Sequence, residues 1–256
     1  MEFPRFEYGA IDIHSHFNHG AKGESTDPAI DALHKNELDF LTEESAKMGI
    51  VKTAYSTYSS VLSSDYVAEE NEYLHDLVSR TEGIYQWVVI HPLLPETFRQ
   101  AERMLEHKKV LGLKIHSPMH GYDILEHGDE IFSFANERGA FLLMHPHKTE
   151  RMTELADKYP NMKLIIAHIG SQAHIDAVLG ARHGNIYVDT SGYRSSFNYI
   201  IEHAVRTIGS EKIFFGTDTY SPIFQYARIA LADIPNTDKE NILYKNAMKH
   251  FKKCFG

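Results

Sequence analysis

Eight short apolar runs recur along the chain, and a segment with helical periodicity follows each of them. Strands that alternate with helices pair in parallel through right-handed crossovers. Eight such units within 256 residues therefore predict an α/β fold, a (β/α)8 TIM barrel that can be locally distorted. The predicted strands are Ala10–His14, Ile50–Tyr55, Ile84–Ile90, Val110–Ile115, Phe141–His145, Lys163–His168, Asn185–Asp189 and Lys212–Gly216.

Glycine positions support the boundaries of these units. Gly49, Gly83, Gly139 and Gly209 stand just before predicted strands, where the end of a helix favours a residue that tolerates positive φ. No composition shift or linker interrupts the pattern, so we expect residues 1–256 to form a single domain. The predicted helices are Thr26–Met48, Asp65–Thr81, Glu96–His107, Ile124–Arg138, Glu150–Tyr159, Gln172–Ala181, Arg194–Ile208, Pro222–Ala232 and a terminal helix near Lys239–Lys252.

Composition argues against several functional classes. Asp and Glu outnumber Lys and Arg by 35 to 26, which gives a net charge of −9, and no basic run is present, so we do not expect nucleic-acid binding. Cys254 is the only cysteine, which excludes a disulfide framework and a cysteine-based zinc site. The first residues do not resemble a signal peptide, and no stretch approaches the roughly 20 apolar residues of a membrane span. We therefore expect a soluble cytoplasmic protein.

The first apolar run contains the sequence Ile-Asp-Ile-His-Ser-His at residues 11–16. Side chains alternate along a strand, so His14 and His16 project from one face, which Asp12 shares. Both imidazoles can therefore reach one metal ion. A pair of histidines at this spacing is weak evidence by itself, and its significance depends on the other strand ends.

Histidine, lysine or aspartate closes most of the later runs, at the end of the barrel where this fold carries its active sites. These residues are His91, Lys114, His116, His145, His147, His168, Asp189 and Asp218. Neutral imidazole and carboxylate are ligands for zinc and similar ions, and a catalytic site keeps one coordination position open. His14, His16, His145 and Asp218 would supply such a ligand set from three strands. His168 would then be free to act on substrate.

The ordered segments IDIHSH, GLKIHSP, LLMHPH, IIAHIGS and FFGTD resemble the amidohydrolase superfamily, in particular its amidohydrolase-related (amidohydrolase 2) branch. The resemblance covers nearly the whole chain. It implies metal ligands at His14, His16, His145 and Asp218. His168 matches a histidine that acts on substrate in mononuclear members and holds a second ion in binuclear members. The branch contains hydrolases and also non-oxidative decarboxylases.

Lys114 allows two interpretations. The resemblance offers one of them, because binuclear members bridge two ions with a carboxylated lysine near this level. As an unmodified ammonium, Lys114 would instead bind a substrate carboxylate or pair with Asp12 or Asp189. We favour the ammonium, because it offsets nearby carboxylates without further chemistry. His116 and Arg194 are further candidates for substrate binding. We expect one divalent ion rather than two, with zinc favoured over manganese.

The predicted activity is hydrolysis of a small ester, lactone or amide by metal-activated water. A bound ion lowers the pKa of water towards about 7, Asp218 takes the proton, and His168 stabilises the developing oxyanion. A decarboxylase, in which His168 or Asp218 protonates the substrate carbon, is an alternative. A non-catalytic metal-binding interaction module is another.

The expected partner of either enzyme is a small-molecule substrate, and the sequence is compatible with a homo-oligomer. Specificity is expected to lie in the loops Phe17–Pro28, Ser56–Ser64 and Tyr193–Phe197.

Overall fold

The computed structural model describes residues 9–19 and 35–256, which include eight strands. The strands are Ala10–Phe17 (β1), Ile50–Thr57 (β2), Ile84–Val89 (β3), Val110–Ile115 (β4), Phe141–Met144 (β5), Lys163–Ile166 (β6), Ile186–Asp189 (β7) and Ile213–Phe214 (β8). They form one sheet in the order of the chain, and each strand pairs in parallel with the next. The prediction of a TIM barrel is confirmed.

The barrel has an incompletely sealed seam between β8 and β1. In the described residues, one bridge joins Ser15 to Asp218, and the main-chain N–H of Ile13 donates to the carbonyl of Phe215 at 3.0 Å. β8 is shorter than the predicted strand Lys212–Gly216, and the chain reaches a left-handed conformation at Asp218, where φ is +61°. This short strand places Asp218 directly against β1.

Helices follow the strands and pack around the barrel. They are Leu38–Lys47 (α1), Tyr58–Leu62 (α2), Val67–Arg80 (α3), Pro95–Met104 (α4), Ser117–His120 (α5), Ile124–Glu137 (α6), Met152–Ala156 (α7), Gln172–Gly180 (α8), Ile200–Ile208 (α9), Pro222–Ala230 (α10), Asn236–Glu240 (α11), Asn246–His250 (α12) and Lys252–Phe255 (α13). α3 buries Val67, Asn71, Leu74 and Val78, whose spacing of three or four residues places them on one face. None of the described helices has the length and apolar character that a membrane span requires.

Several helix boundaries differ from those predicted. The helix expected over Thr26–Met48 begins at Leu38, after Glu37 in extended geometry, and residues 26–34 lie outside the described residues. The helix expected from Arg194 begins at Ile200, because Tyr199 before it has a φ of +72°, which a right-handed helix does not continue. The 3-10 helix Tyr193–Ser196 precedes it, and the others are Ser64–Tyr66, Thr149–Arg151 and Ser210–Lys212.

The C-terminal region is also divided more finely than predicted. The helix expected over Lys239–Lys252 consists of α11, a π-helical segment at Asn241–Lys245, α12 and the beginning of α13. Asn246 at the start of α12 donates to the carbonyls of Ser210 and Ile213 at 2.8 Å each. These bonds attach the C-terminal helices to the chain entering β8.

The core is continuous between the barrel strands and the helices. Ile13, Leu113 and Ile165 are completely buried, and the indole N–H of Trp87 donates to the carbonyl of Ile13 at 2.6 Å. Lys114, which follows Leu113 on β4, is one of the largest fully buried side chains. A buried cation needs polar partners, so its surroundings identify the part of the barrel that is organised for chemistry.

Candidate functional site

His14 and His16 on β1 bring their Nε2 atoms to within 3.2 Å of each other. Asp218 joins them from beyond β8, with Oδ1 3.6 Å from Nε2 of His16, and one ligand atom from each of the three residues lies within 4.8 Å of the others. Two nitrogen ligands of a tetrahedral zinc ion, each about 2.0–2.1 Å from it, are roughly 3.3 Å apart. The two imidazoles are therefore spaced as ligands of one ion.

Hydrogen bonds on the other side of each ring define which nitrogen carries the proton. Nδ1 of His16 lies 2.9 Å from the carbonyl oxygen of Ser56, and Nδ1 of His14 lies 2.8 Å from Oδ2 of Asp189. Both partners accept hydrogen bonds, so Nδ1 carries the proton in each ring and Nε2 carries a lone pair. The two lone pairs face each other, and a cation between them would stabilise this arrangement.

Burial keeps these imidazoles neutral, as metal coordination requires. It lowers the pKa of His14 and of His16 well below the usual range of histidine, and the nearby ammonium of Lys114 lowers both further. Burial also raises the pKa of the Asp218 carboxyl, and the Lys114 ammonium opposes that rise. The donor set of two neutral imidazoles and a carboxylate suits a divalent ion.

Lys114 lies directly beneath this pair of histidines. Its Nζ is 2.9 Å from Nε2 of His14, and burial lowers the pKa of its ammonium against the attraction of Asp218 and Asp189. In the part of the chain that the structure describes, Lys114 forms no ion pair with Asp12 or Asp189, which was one of the two roles considered for the ammonium. Its contact is with the histidine nitrogen itself.

Asp12 ties the two edges of the seam together. Its Oδ1 accepts the main-chain N–H of His14 at 3.0 Å and that of Thr217 at 3.2 Å, while its Oδ2 accepts the Thr217 hydroxyl at 2.6 Å. Burial raises the pKa of this carboxyl group to about 8. Asp12 had no role assigned from the sequence. It positions Thr217, and through the chain Asp218, against β1.

His145 and His168 form a second pair beside the first. Nε2 of His168 lies 3.2 Å from Nδ1 of His145, and the ring of His168 stacks on that of His14 with 5.1 Å between centroids. Among the described residues, His168 could also share an ion with His14 and Asp189, whereas His145 belongs to neither possible ligand group. The structure therefore places the predicted ligand His145 outside the group formed by His14, His16 and Asp218, with the ring of His168 between His145 and His14.

His116 and Arg194 occupy different positions relative to the site. The ring of His116 stacks on that of His145 at 4.0 Å between centroids, and its Nδ1 accepts the main-chain N–H of Met119 at the start of α5. Arg194 lines a cavity of about 410 Å3 that also borders His145 and His168, whereas neither His116 nor Lys114 is among the lining residues. Of the three predicted substrate-binding residues, Arg194 alone faces this cavity.

The cavity combines cations with aromatic rings next to the candidate metal ligands. Arg194 and Lys148 contribute the positive charges, Glu150 and Asp218 the negative charges, and Tyr193 and Tyr220 the rings. Lys148 is paired with Asp123 at 2.5 Å. A concave site with a few convergent polar groups is typical of small-molecule binding. The arrangement can accept a small polar or anionic molecule beside an ion.

Ser191 is a site residue that the sequence did not single out. Its hydroxyl contacts Asp189 and the Nδ1 atoms of both His14 and His168. The pair Asp189 and Ser191 repeats the spacing of His14 and His16, two residues apart at the end of a strand, and this spacing was the signal available in the sequence.

The sequence matches a family model described as amidohydrolase over residues 11–253. No curated protein sequence matches the chain. A solved 5-carboxyvanillate decarboxylase from Novosphingobium aromaticivorans, complexed with manganese and a nitrobenzoic acid, superposes with a TM-score of 0.75 at 17% identity, covering 96% of each chain. At such low identity the likeness shows the fold alone.

Two further solved structures extend this comparison. A dihydroxybenzoic acid decarboxylase from a Polaromonas species, with bound manganese, has a TM-score of 0.75 at 16% identity and covers 95% of this chain and 97% of its own. A candidate 2-pyrone-4,6-dicarboxylic acid hydrolase from Pseudomonas putida has a TM-score of 0.68 at 13% identity, covering 97% and 99%. Because the family model spans nearly the whole sequence, and the barrel it predicts is the one observed, this chain belongs to the amidohydrolase family.

Proposed function

We propose that this protein is a metal-dependent hydrolase of a small ester, lactone or amide. His14, His16 and Asp218 would hold one divalent ion, and His145 would be its fourth ligand. The convergence of Nε2 of His14 and Nε2 of His16, 3.2 Å apart, beside the carboxylate of Asp218 is the observation that carries this proposal. The ion would replace the contact that Nε2 of His14 makes with Nζ of Lys114 at 2.9 Å. Two imidazole lone pairs that face each other in a buried site repel, and a cation bound between them removes this repulsion.

When bound, a divalent ion supplies Lewis-acid polarisation of a carbonyl and acidifies water in the site. Asp218 is placed to accept the proton of that water and to return it to the leaving group, and the rise in its pKa on burial makes the carboxylate a stronger base. His168, whose Nδ1 is 3.9 Å from Oδ2 of Asp218, lies close enough to orient the reacting group. Arg194 would hold a substrate carboxylate at the cavity wall.

Zinc is our first assignment for the ion, and manganese is the second. Two imidazoles and a carboxylate form a ligand set common in catalytic zinc sites. Manganese has support from the decarboxylases of Novosphingobium and Polaromonas, whose structures contain it on the same type of barrel. We propose one ion, with Lys114 as an unmodified ammonium, because its positive charge offsets the nearby carboxylates of Asp218 and Asp189.

Decarboxylation of a small carboxylic acid is the second candidate. Arg194 at the cavity wall can bind a carboxylate, and two of the similar structures described above are decarboxylases. In this reaction the bond between the carboxylate group and the substrate carbon that carries it breaks, and CO2 leaves. His168 or Asp218 delivers a proton to that substrate carbon. A hydrolase instead consumes one water for each bond cleaved.

A paired assay separates these activities. Purified protein loaded with zinc or manganese is tested against esters, lactones and amides by acid release, and against hydroxylated aromatic acids by CO2 release. Hydrolysis predicts acid release that Asp218→Asn abolishes and that the exposed control Asp129→Asn retains. CO2 release without water consumption would replace hydrolysis by decarboxylation. Silence of both loaded forms on both panels would contradict an enzymatic role and favour the interaction module.

A further inference from the structure

Ser191 lies two residues after the end of β7, and its fully buried hydroxyl contacts three groups of the site. Oγ is 2.5 Å from Oδ1 of Asp189, 2.9 Å from Nδ1 of His14 and 2.9 Å from Nδ1 of His168. One hydroxyl therefore touches a carboxylate and two imidazoles whose second nitrogens face the site. The direction of each hydrogen bond of this hydroxyl therefore determines which ring nitrogen of the neighbouring histidines carries the proton.

Counting protons fixes these directions. A serine hydroxyl has one proton to donate and two lone pairs that accept. The Asp189 carboxylate accepts, since Oδ1 also receives the main-chain N–H groups of His168 and Ser191 at 3.0 Å each. The hydroxyl proton therefore lies between Ser191 and Asp189. Oγ must then accept from His168, so Nδ1 of His168 carries its ring proton.

His145 receives its tautomer from His168. A neutral imidazole has one N–H, so His168 keeps a lone pair on Nε2, which lies 3.2 Å from Nδ1 of His145. Nδ1 of His145 must donate across this contact, and the lone pair of His145 is left on Nε2. The hydrogen bonds thus run in one direction, from His145 through His168 and Ser191 to Asp189.

We propose that Ser191 is a positioning residue that sets the tautomers of His168 and His145, so that His145 presents a bare Nε2 at the cavity. His14 does not depend on Ser191, because its Nδ1 also donates to Oδ2 of Asp189 at 2.8 Å. The functional consequence rests on the proposed function: Nε2 of His145 becomes the nitrogen available to an ion or a substrate proton. His168 links Ser191 to His145, because its Nε2 accepts the hydrogen bond that keeps the proton of His145 on Nδ1.

The tautomers are measured directly in the metal-free protein, labelled with 15N-histidine, by two-bond 1H–15N correlation spectra. The wild-type protein is expected to show Nδ1–H on His14, His145 and His168. In Ser191→Ala, His168 loses its acceptor, so His168 and His145 both change to Nε2–H while His14 keeps Nδ1–H. Nε2–H on His168 in the wild-type protein would overturn the proposal, and so would an unchanged His168 in a folded Ser191→Ala protein.

Ser195→Ala is the matched control. Ser195 is equally buried, and its hydroxyl donates to the carbonyl of Gly192 at 2.9 Å or to Oε1 of Gln225 at 3.0 Å rather than to a histidine. The three tautomers are expected to stay unchanged in this variant. If Ser191→Ala does not fold, the wild-type spectrum still decides, because the proposal requires Nδ1–H on both His168 and His145.

Metal affinity gives an independent measurement. Competition with a chelator is expected to show a zinc affinity about 10- to 100-fold weaker in Ser191→Ala, the range for losing a group that orients a ligand, with Ser195→Ala unchanged. A wild-type protein with the expected tautomers that binds neither zinc nor manganese would refute the proposed function and leave the role of Ser191 intact. Tight binding with Nε2–H on His168 would refute the role of Ser191 alone.

Discussion

Histidines at the two ends of the barrel have different surroundings. At the carboxyl ends of the strands, the ring nitrogens of His14 and His16 contact Asp189, Ser56 and each other. At the opposite end, the ring of His250 packs at 5.1–5.8 Å, between centroids, from rings of the core, namely Phe141, Tyr187 and Phe214. In the described part of the chain, its nitrogens have no hydrogen-bond partner.

This difference shows that a neutral imidazole alone does not create a site. Burial lowers the pKa of His250 to about 4 and that of His145 to about 3, so both rings are neutral near pH 7. Among the described residues, both groups that could hold an ion lie at the carboxyl end, where Asp218 also borders a cavity. The chemistry follows from the direction of the lone pairs, which the polar partners behind each ring determine.

The largest effect is expected from Asp218→Asn. The amide has the shape of the carboxylate but cannot accept the proton of water, so kcat should fall by about 10²–10⁴-fold while much of the metal stays bound. Turnover and metal content are measured on the same preparation. Loss of metal without a comparable fall in turnover would contradict the role of Asp218 as base.

His16→Ala tests the convergence of the lone pairs. Removing one of the two facing imidazoles should weaken zinc affinity by more than the roughly 100-fold that loss of an orienting group can cause. His250→Ala is the control from the opposite end of the barrel, where affinity should not change. Chelator competition measures both variants. Equal affinities of the two variants would contradict the role of the histidine pair on β1 in metal binding.

Thr217→Val tests the seam that supports the carboxyl end. The substitution removes the hydroxyl that donates to the buried Asp12 at 2.6 Å, and leaving that group unsatisfied costs about 1–3 kcal/mol in the free energy of unfolding. Urea denaturation measures the loss. Thr207→Val, at an exposed hydroxyl on α9, should change stability much less. Equal stability of both variants would show that Asp12 does not hold the seam.

The smallest effect is expected at His250, at the end of the barrel where the strands begin, and it concerns the dependence of the free energy of unfolding on pH. Because burial lowers the folded-state pKa of His250 to about 4, the unfolded chain binds its proton more readily, and the free energy of unfolding falls as pH decreases from about 6.5 to about 4. His250→Phe should reduce this pH dependence, whereas His183→Phe, at an exposed loop residue, should not. Denaturation at pH 7 and pH 4.5 makes the comparison. An unchanged slope in His250→Phe would contradict the packing described for this ring.

The sequence predicts much of this architecture because the barrel depends on local patterns. Alternating apolar runs and helical periods specify the strand order, and strand alternation places His14 and His16 together. The fold class also predicts that the functional polar residues lie at the carboxyl ends of the strands. These features need no knowledge of contacts between distant residues.

Features that depend on contacts across the barrel could not be predicted in this way. The role of Asp12 depends on Thr217, which is 205 residues away, and that of Ser191 depends on His14, 177 residues away. The place of His145 outside both possible ligand groups of the described residues likewise depends on packing across the barrel rather than on its own sequence. Local patterns identify the participating residue types, and the three-dimensional packing assigns their partners.

The most direct test of the account is anomalous diffraction at the zinc and manganese absorption edges from crystals of the metal-loaded protein. The account predicts one peak between Nε2 of His14, Nε2 of His16 and the carboxylate of Asp218. No peak at these residues, or a peak confined to another part of the barrel, would contradict the central claim. A second peak with a carboxylated Lys114 between the two ions would contradict the proposal of a single ion.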